Sequence, residues 1–149
     1  MPDAIFAYPR LAAVYDTFDG HRDDLNSYLA LAEELAADTV LDIGCGTGSL
    51  AVLLAAGGRT VVAVDPAEAS LTIAKAKYGA AKVRWIHGDA TGLPPLNADL
   101  AVMTGNVAQV FLTDDEWESS LAAHGYRVVD VRDAPDRPGR EFVFIARRT

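Results

Sequence analysis

The stretch LDIGCGTGSL, residues 41–50, constrains this chain more than any other part of it. A β-branched run, TVLDI at 39–43, stops at Gly44, and an apolar run with helical composition, SLAVLLAA at 49–56, begins directly after Gly48. Glycines alternate at 44, 46 and 48. Glycine reaches backbone conformations closed to other residues and lets another molecule lie close to the main chain. A strand turning this tightly into a helix opens an α/β unit, and in open α/β sheets ligands sit beyond the carboxyl ends of the strands. A plain β–α turn is the alternative, and the acid-ended strand with Asp42 and the third glycine weigh against it.

The rest of the chain repeats that alternation. RDDLNSYLALAEELAA at 22–37 sets Leu25, Tyr28, Leu29, Ala32, Leu35 and Ala36 near one helical face. TVVAVD at 60–65 reads as a second strand, and Pro66 suits the first turn of a helix over 67–78. KVRWIHG at 82–88 and DLAVM at 99–103 read as the third and fourth strands. Thr113 followed by Glu116 forms a capping-box pattern for a helix through about Ala123, which Gly125 stops. YRVVDVRD and EFVFIAR, joined by APDRPGR, predict a hairpin. The expected architecture is α/β: a three-layer Rossmann-like open sheet, mostly parallel, with a C-terminal antiparallel hairpin and six strands. No linker or repeat interrupts it, so residues 1–149 are expected to form a single domain.

Composition narrows the function classes. Half of the residues are apolar, enough for a core that buries about two-thirds of the unfolded surface at this length. The net charge of −8 argues against a general nucleic-acid binder. Charge is uneven: residues 1–50 hold nine acids against Arg10 and Arg22, and 126–149 hold six arginines against four acids. Those arginines make either a local basic patch or solvated strand ends. The lone Cys45 excludes an internal disulfide and any multi-cysteine metal site. No apolar run has transmembrane length and no basic region precedes one at the N-terminus, so no membrane association and a cytoplasmic location are expected.

The acids at strand ends are the candidate binding residues. Asp65 ends the second strand, where a carboxylate can accept from two ribose hydroxyls; a solvated strand-end aspartate is the alternative. Asp89, in GDAT after the third strand, can face an exocyclic amine with Ala90 offering an amide, or can simply cap its own turn. Asn106 follows the fourth strand as ligand contact or local turn former. Cys45 reads as a small filler between glycines, with no activating neighbour in sequence. The spacing is GxGxG and residue 49 is serine, unlike the GxGxxG of nicotinamide dehydrogenases, and no GK[ST] phosphate loop occurs.

LDIGCGTG, VVAVDP, IHGDATGLP and DLAVMTGNVAQVF together resemble the cofactor-binding half of class I S-adenosylmethionine-dependent methyltransferases. AAVYDTFDGHRDDLNSYLALAEEL resembles the N-terminal segment of bacterial small-molecule members. The resemblance implies S-adenosylmethionine as cofactor and a small-molecule acceptor. It implies that Asp42 and Gly44, Cys45, Gly46 and Gly48 cradle the methionine and ribose, and that Asp65 and the adjoining Pro66 hold the ribose side. Asp89 and Ala90 would take the adenine, Asn106 the region of the transferred methyl, and Tyr15 would cover the ligand. Methyl transfer asks the protein chiefly to align a nucleophile and exclude water, with a base for acceptors that must lose a proton. His21, His87 and His124 are available in number, but the sequence singles out none; the catalytic residues stay unassigned.

The chain departs from that family between the fourth strand and the hairpin, where LTDDEWESSLAAHG runs straight into YRVVDVRD without a fifth parallel strand. The last strand is then expected to move over by about 5 Å and pair with the fourth, giving the order 3-2-1-4-6-5. Three functions stay open: an active methyltransferase, a cofactor-binding module with little activity, and a structural or interaction protein keeping only the fold. A homodimer could cover an exposed sheet edge, and the acidic residues 16–24 could form a lid.

Overall fold

A computed structural model of the protein describes residues 2–105, 107 and 113–149. Its elements are α1 (Ala4–Ala7), α2 (Pro9–Asp19), α3 (Leu25–Glu34), β1 (Thr39–Ile43), α4 (Ser49–Ala56), β2 (Thr60–Asp65), α5 (Glu68–Ala76), β3 (Val83–His87), β4 (Leu100–Val102), α6 (Asp114–Ala123), β5 (Tyr126–Asp133) and β6 (Phe142–Arg148). The chain divides into two compact units, Met1–Val107 and Ala108–Thr149.

In the first unit β1 to β4 form a parallel sheet of order β3-β2-β1-β4. The inner strand β2, TVVAVD, is a nearly continuous apolar run and the most buried, as a parallel strand covered on both faces must be, while β3 at the edge keeps Arg84 and His87 exposed. Val40, Val61, Ala63 and Val102 join Leu50 and Leu54 of α4 in one buried cluster. α4 carries few polar residues because Leu50, Ala51, Leu54 and Ala55 are all buried. β4 pairs through only three residues with β1, and its entry is fixed by Asp99. That carboxylate accepts from the Asp38 and Thr39 amides at 3.1 and 2.9 Å and from the Thr39 hydroxyl at 2.9 Å.

α1 and α2 are elements that the sequence reading left unassigned. Pro9 opens α2 at a position where its missing N–H costs nothing, and both helices pack on α5. Ser70, fully buried on α5, donates to the Phe6 carbonyl at 3.1 Å.

In the second unit α6 begins with the expected cap: the Thr113 hydroxyl accepts from the Glu116 amide at 3.2 Å. β5 and β6 pair antiparallel with a bulge between Val128 and Asp130. The α/β class, the parallel four-strand order and the C-terminal hairpin are as expected. The total of six strands is as expected too, four in the parallel sheet of the first unit and two in the antiparallel hairpin of the second. Among the described residues no helix is long and apolar enough to cross a membrane.

Candidate functional site

The carboxyl ends of β1, β2 and β3 carry the candidate site. Beyond Asp42 and Ile43 the backbone enters a loop in which Gly44, Gly46 and Gly48 have φ of 72°, 55° and 77°. The loop is held chiefly by hydrogen bonds to the end of β2. The Gly44 and Cys45 amides donate to the Val64 carbonyl at 2.9 and 3.1 Å, and the Gly48 amide donates to the Cys45 carbonyl at 2.9 Å. The Gly46 amide donates to Asp65 Oδ2 at 2.8 Å.

The glycines serve different ends. A Cβ on Gly44 would lie 2.5 Å from Val107 Cγ2, and one on Gly48 would lie 2.4 Å from Trp85 Cη2. At those positions glycine lets the protein pack against itself. A Cβ on Gly46 would meet nothing within 4 Å, so there the loop faces open space in which another molecule can approach the backbone.

Asp65 organises this turn. Its Oδ1 accepts from the Ala67 amide at 2.8 Å while Oδ2 holds Gly46, and each oxygen keeps a second lone pair for an outside donor. Asp42 is 1% exposed and its Oδ1 has no hydrogen-bond partner among the described residues. Burial, and then the neighbouring Asp65 charge, push its carboxyl up to about 7. A buried polar atom without a partner is uncommon enough to need an explanation, and a donor arriving from a ligand would supply one. Burial, then Asp42 and Asp65, push the Cys45 thiol far up, which disfavours the thiolate that a nucleophile requires.

On the adjacent strand, His87 pairs in register with Asp65, and the Gly88 amide donates to the Asp65 carbonyl at 3.0 Å. Asp89 follows, exposed, and caps the turn Ala90–Gly92. Its Oδ1 accepts from the Thr91 hydroxyl at 2.5 Å and the Thr91 amide at 2.8 Å, bonds that hold the carboxyl below its usual range. The turn-capping alternative is thus realised, with Oδ2 left for a further donor. The Pro66 carbonyl lies 3.1 Å from His87 Nε2, which gives that imidazole a structural partner.

Tyr15 stands on α2, its ring 5.2 Å from that of Phe6. Burial, then the nearby Asp19, raise its phenol. Its neighbour Asp16 accepts from the Thr47 hydroxyl at 2.5 Å, which ties α2 to the glycine loop. Asn106 lies outside the described residues. His124 is in the second unit, its Nδ1 2.8 Å from the Ser120 carbonyl. The structure therefore joins the 44–48 loop to Asp65 by a hydrogen bond and to Asp16 of α2 through Thr47, sets the buried Asp42 within reach of the Asp65 charge, and ties the start of the segment carrying Asp89 and Ala90 to the Asp65 carbonyl through Gly88; Tyr15 packs on Phe6. Sequence reasoning missed Thr47, Lys77 and Trp85, whose roles depend on contacts between distant segments.

The family model for the methyltransferase domain matches residues 40–130. An uncharacterized methyltransferase of Oceanobacillus iheyensis is 31% identical over 73% of this chain and 49% of its own length. A ubiquinone/menaquinone biosynthesis C-methyltransferase of Rubrivivax gelatinosus is 32% identical over 65% of this chain and 41% of its own. The chain thus spans about half the length of the curated relatives it matches. Among solved structures, the 1,6-didemethyltoxoflavin-N1-methyltransferase of Burkholderia thailandensis, with bound 1,6-didemethyltoxoflavin and S-adenosylhomocysteine, has 19% identity and a TM-score of 0.63 over 98% of this chain and 88% of that one. A Thiobacillus denitrificans S-adenosylmethionine-dependent methyltransferase in complex with S-adenosylhomocysteine has 20% identity and a TM-score of 0.54 over 75% and 66%. These likenesses extend the shared fold beyond the matched domain, and the match over residues 40–130 makes the chain a member of the methyltransferase-domain family.

Proposed function

We propose that this chain binds S-adenosylmethionine and transfers its methyl group to a small molecule. The observation that carries the reading is the loop apex at Gly46, open to an approaching molecule and fastened to Asp65 beside the orphaned Asp42 carboxyl. These residues fit a ligand with hydroxyls at one end and an ammonium at the other. Asp42 and the loop of Gly44, Cys45, Gly46 and Gly48 would cradle the methionine and ribose. Asp65, with Pro66, would take the ribose hydroxyls, Asp89 and Ala90 the adenine, Asn106 the methyl region, and Tyr15 would close over it.

The sulfonium supplies a methyl group already activated for displacement. What remains for the chain is to orient the donor and exclude water. The loop does the first with backbone bonds that need no rearrangement, and α2 contributes to the second. The reading is of a cytoplasmic protein acting as one domain, alone or as a homodimer, and the charge of −8 supports action away from nucleic acid. Among the described residues the parallel sheet has four strands and no fifth, which favours a second reading, a module that binds cofactor but turns over slowly.

Calorimetric titration with S-adenosylhomocysteine tests the proposal. The unaltered protein is expected to saturate. Asp65→Ala is expected to weaken binding by at least about tenfold, since it removes charge-assisted acceptors and the anchor of Gly46. Asp89→Ala should weaken it about fivefold. A folded protein that gives no saturable heat would sink the reading, and binding without turnover across a panel of small acceptors would favour the second.

A further inference from the structure

Three groups from distant parts of the first unit meet at the outer side of the glycine loop. Lys77, directly after α5, donates through Nζ to the Thr47 carbonyl and to Asp16 Oδ2, both at 2.5 Å. The Thr47 hydroxyl donates to Asp16 Oδ1 at 2.5 Å. Thr47 lies between Gly46 and Gly48 and is 3% exposed, so the contact seals one side of the loop. The ammonium and carboxylate side chains keep 24% and 36% of their surface in solvent.

We propose that Asp16 and Lys77 are positioning residues that latch the α1–α2 segment onto the glycine loop and hold the loop in its ligand-receiving form. The inference rests on the cofactor reading given above and adds the control of that same site. Three glycines in five residues leave this loop more conformational freedom to lose than any other five-residue stretch of the sheet's connections. A ligand that must first order the loop binds more weakly than one that finds it ordered. Gly44, Cys45 and Gly46 are fixed through their amides to β2 and Gly48 to Cys45, but among the described residues the Thr47 carbonyl is fixed only by Lys77. Asp16 in turn fixes Lys77 and the Thr47 hydroxyl together, so α2 and the loop move as one.

The test uses the whole protein with Asp16→Asn, Lys77→Met and the double variant. Both side chains are partly exposed, and neither belongs to the buried cluster, so the variants are expected to fold. Each single change should weaken S-adenosylhomocysteine binding about tenfold, and the double variant no more than either, because both break one network. Raising salt from about 0.05 to 0.5 M should weaken binding in the unaltered protein and leave Lys77→Met unmoved, as expected when an exposed ion pair is screened. Unchanged affinity in the single variants, losses that simply multiply, or equal salt dependence in both proteins would overturn the latch. Amide exchange separates this from failure of the cofactor reading. Should the unaltered protein not bind S-adenosylhomocysteine, faster exchange in both variants over residues 9–19 and 44–50 together would still support the latch. Faster exchange over 9–19 alone would overturn it.

Discussion

Gly48→Ala is expected to destabilise the protein by about 3 kcal/mol, and Gly46→Ala by only about 1 kcal/mol. Both residues have positive φ, 77° and 55°, so both variants carry the backbone cost of placing a side chain in the left-handed region. They differ in what the new methyl meets. At 48 it would lie 2.4 and 2.8 Å from two atoms of the Trp85 ring and 2.9 Å from Ala74 Cβ. The indole cannot swing away cheaply, because its Nε1 donates to the Ala80 carbonyl at 3.0 Å. The contact therefore has to be relieved by moving β3 or α5. At 46 the methyl enters open space. Urea unfolding of the two variants measures the difference. Titration with S-adenosylhomocysteine should show weaker binding in Gly46→Ala even though that protein is nearly as stable as the parent. Equal destabilisation by the two changes would mean that the loop apex is packed, and the case for a ligand lying against Gly46 would lose its basis.

How far the sequence anticipated this site follows the range of the interactions involved. The strand, the alternating glycines and the following helix are local, and each is written within ten consecutive residues from Leu41 to Leu50. Asp65 and Asp89 were legible because a parallel sheet brings successive strand ends to one edge, here through the pairing of Asp65 with His87. What they do there was less legible. Asp65 also anchors Gly46 and Ala67, and Asp89 also caps its own turn, because a carboxylate beside unpaired amides accepts from them whether or not a ligand comes. Lys77 and Asp16 stand 61 positions apart, and no periodicity connects residues at that separation. α1 and α2 escaped because the apolar positions from Ile5 to Phe18 read as a family-like segment without fixing a helix boundary.

Asp42 should make the ligand-free protein less stable as the pH rises through the neutral range, opposite to the usual trend for a carboxylate. Its carboxyl titrates at 3.8 in the ordinary state and is pushed to about 7 in the fold. Between those values the folded chain holds a proton that the unfolded chain has released, so unfolding releases a proton and stability declines with rising pH across that window. Three pK units correspond to about 4 kcal/mol, an upper bound reached above pH 7. Asp89 and Asp99 act in the other direction. Hydrogen bonds from Thr91 lower the first, and those from Thr39 and then Asp38 lower the second, so their contributions are present above the ordinary carboxylate range and vanish only as the pH falls below it. The two effects therefore occupy separate windows. Asp42→Asn removes the ionisation while keeping the shape, and is expected to equal or trail the parent near pH 4 and to exceed it by several kcal/mol near pH 8. Denaturant unfolding of both proteins across that range checks this. A cationic group bound beside Asp42 would reverse the trend by favouring the carboxylate, so S-adenosylhomocysteine should bind with proton release near pH 6, read as a buffer-dependent heat that Asp42→Asn abolishes. Parallel stability curves for the two proteins would mean that Asp42 Oδ1 has found a partner in solution, and the orphaned carboxyl would no longer argue for a ligand at this strand end.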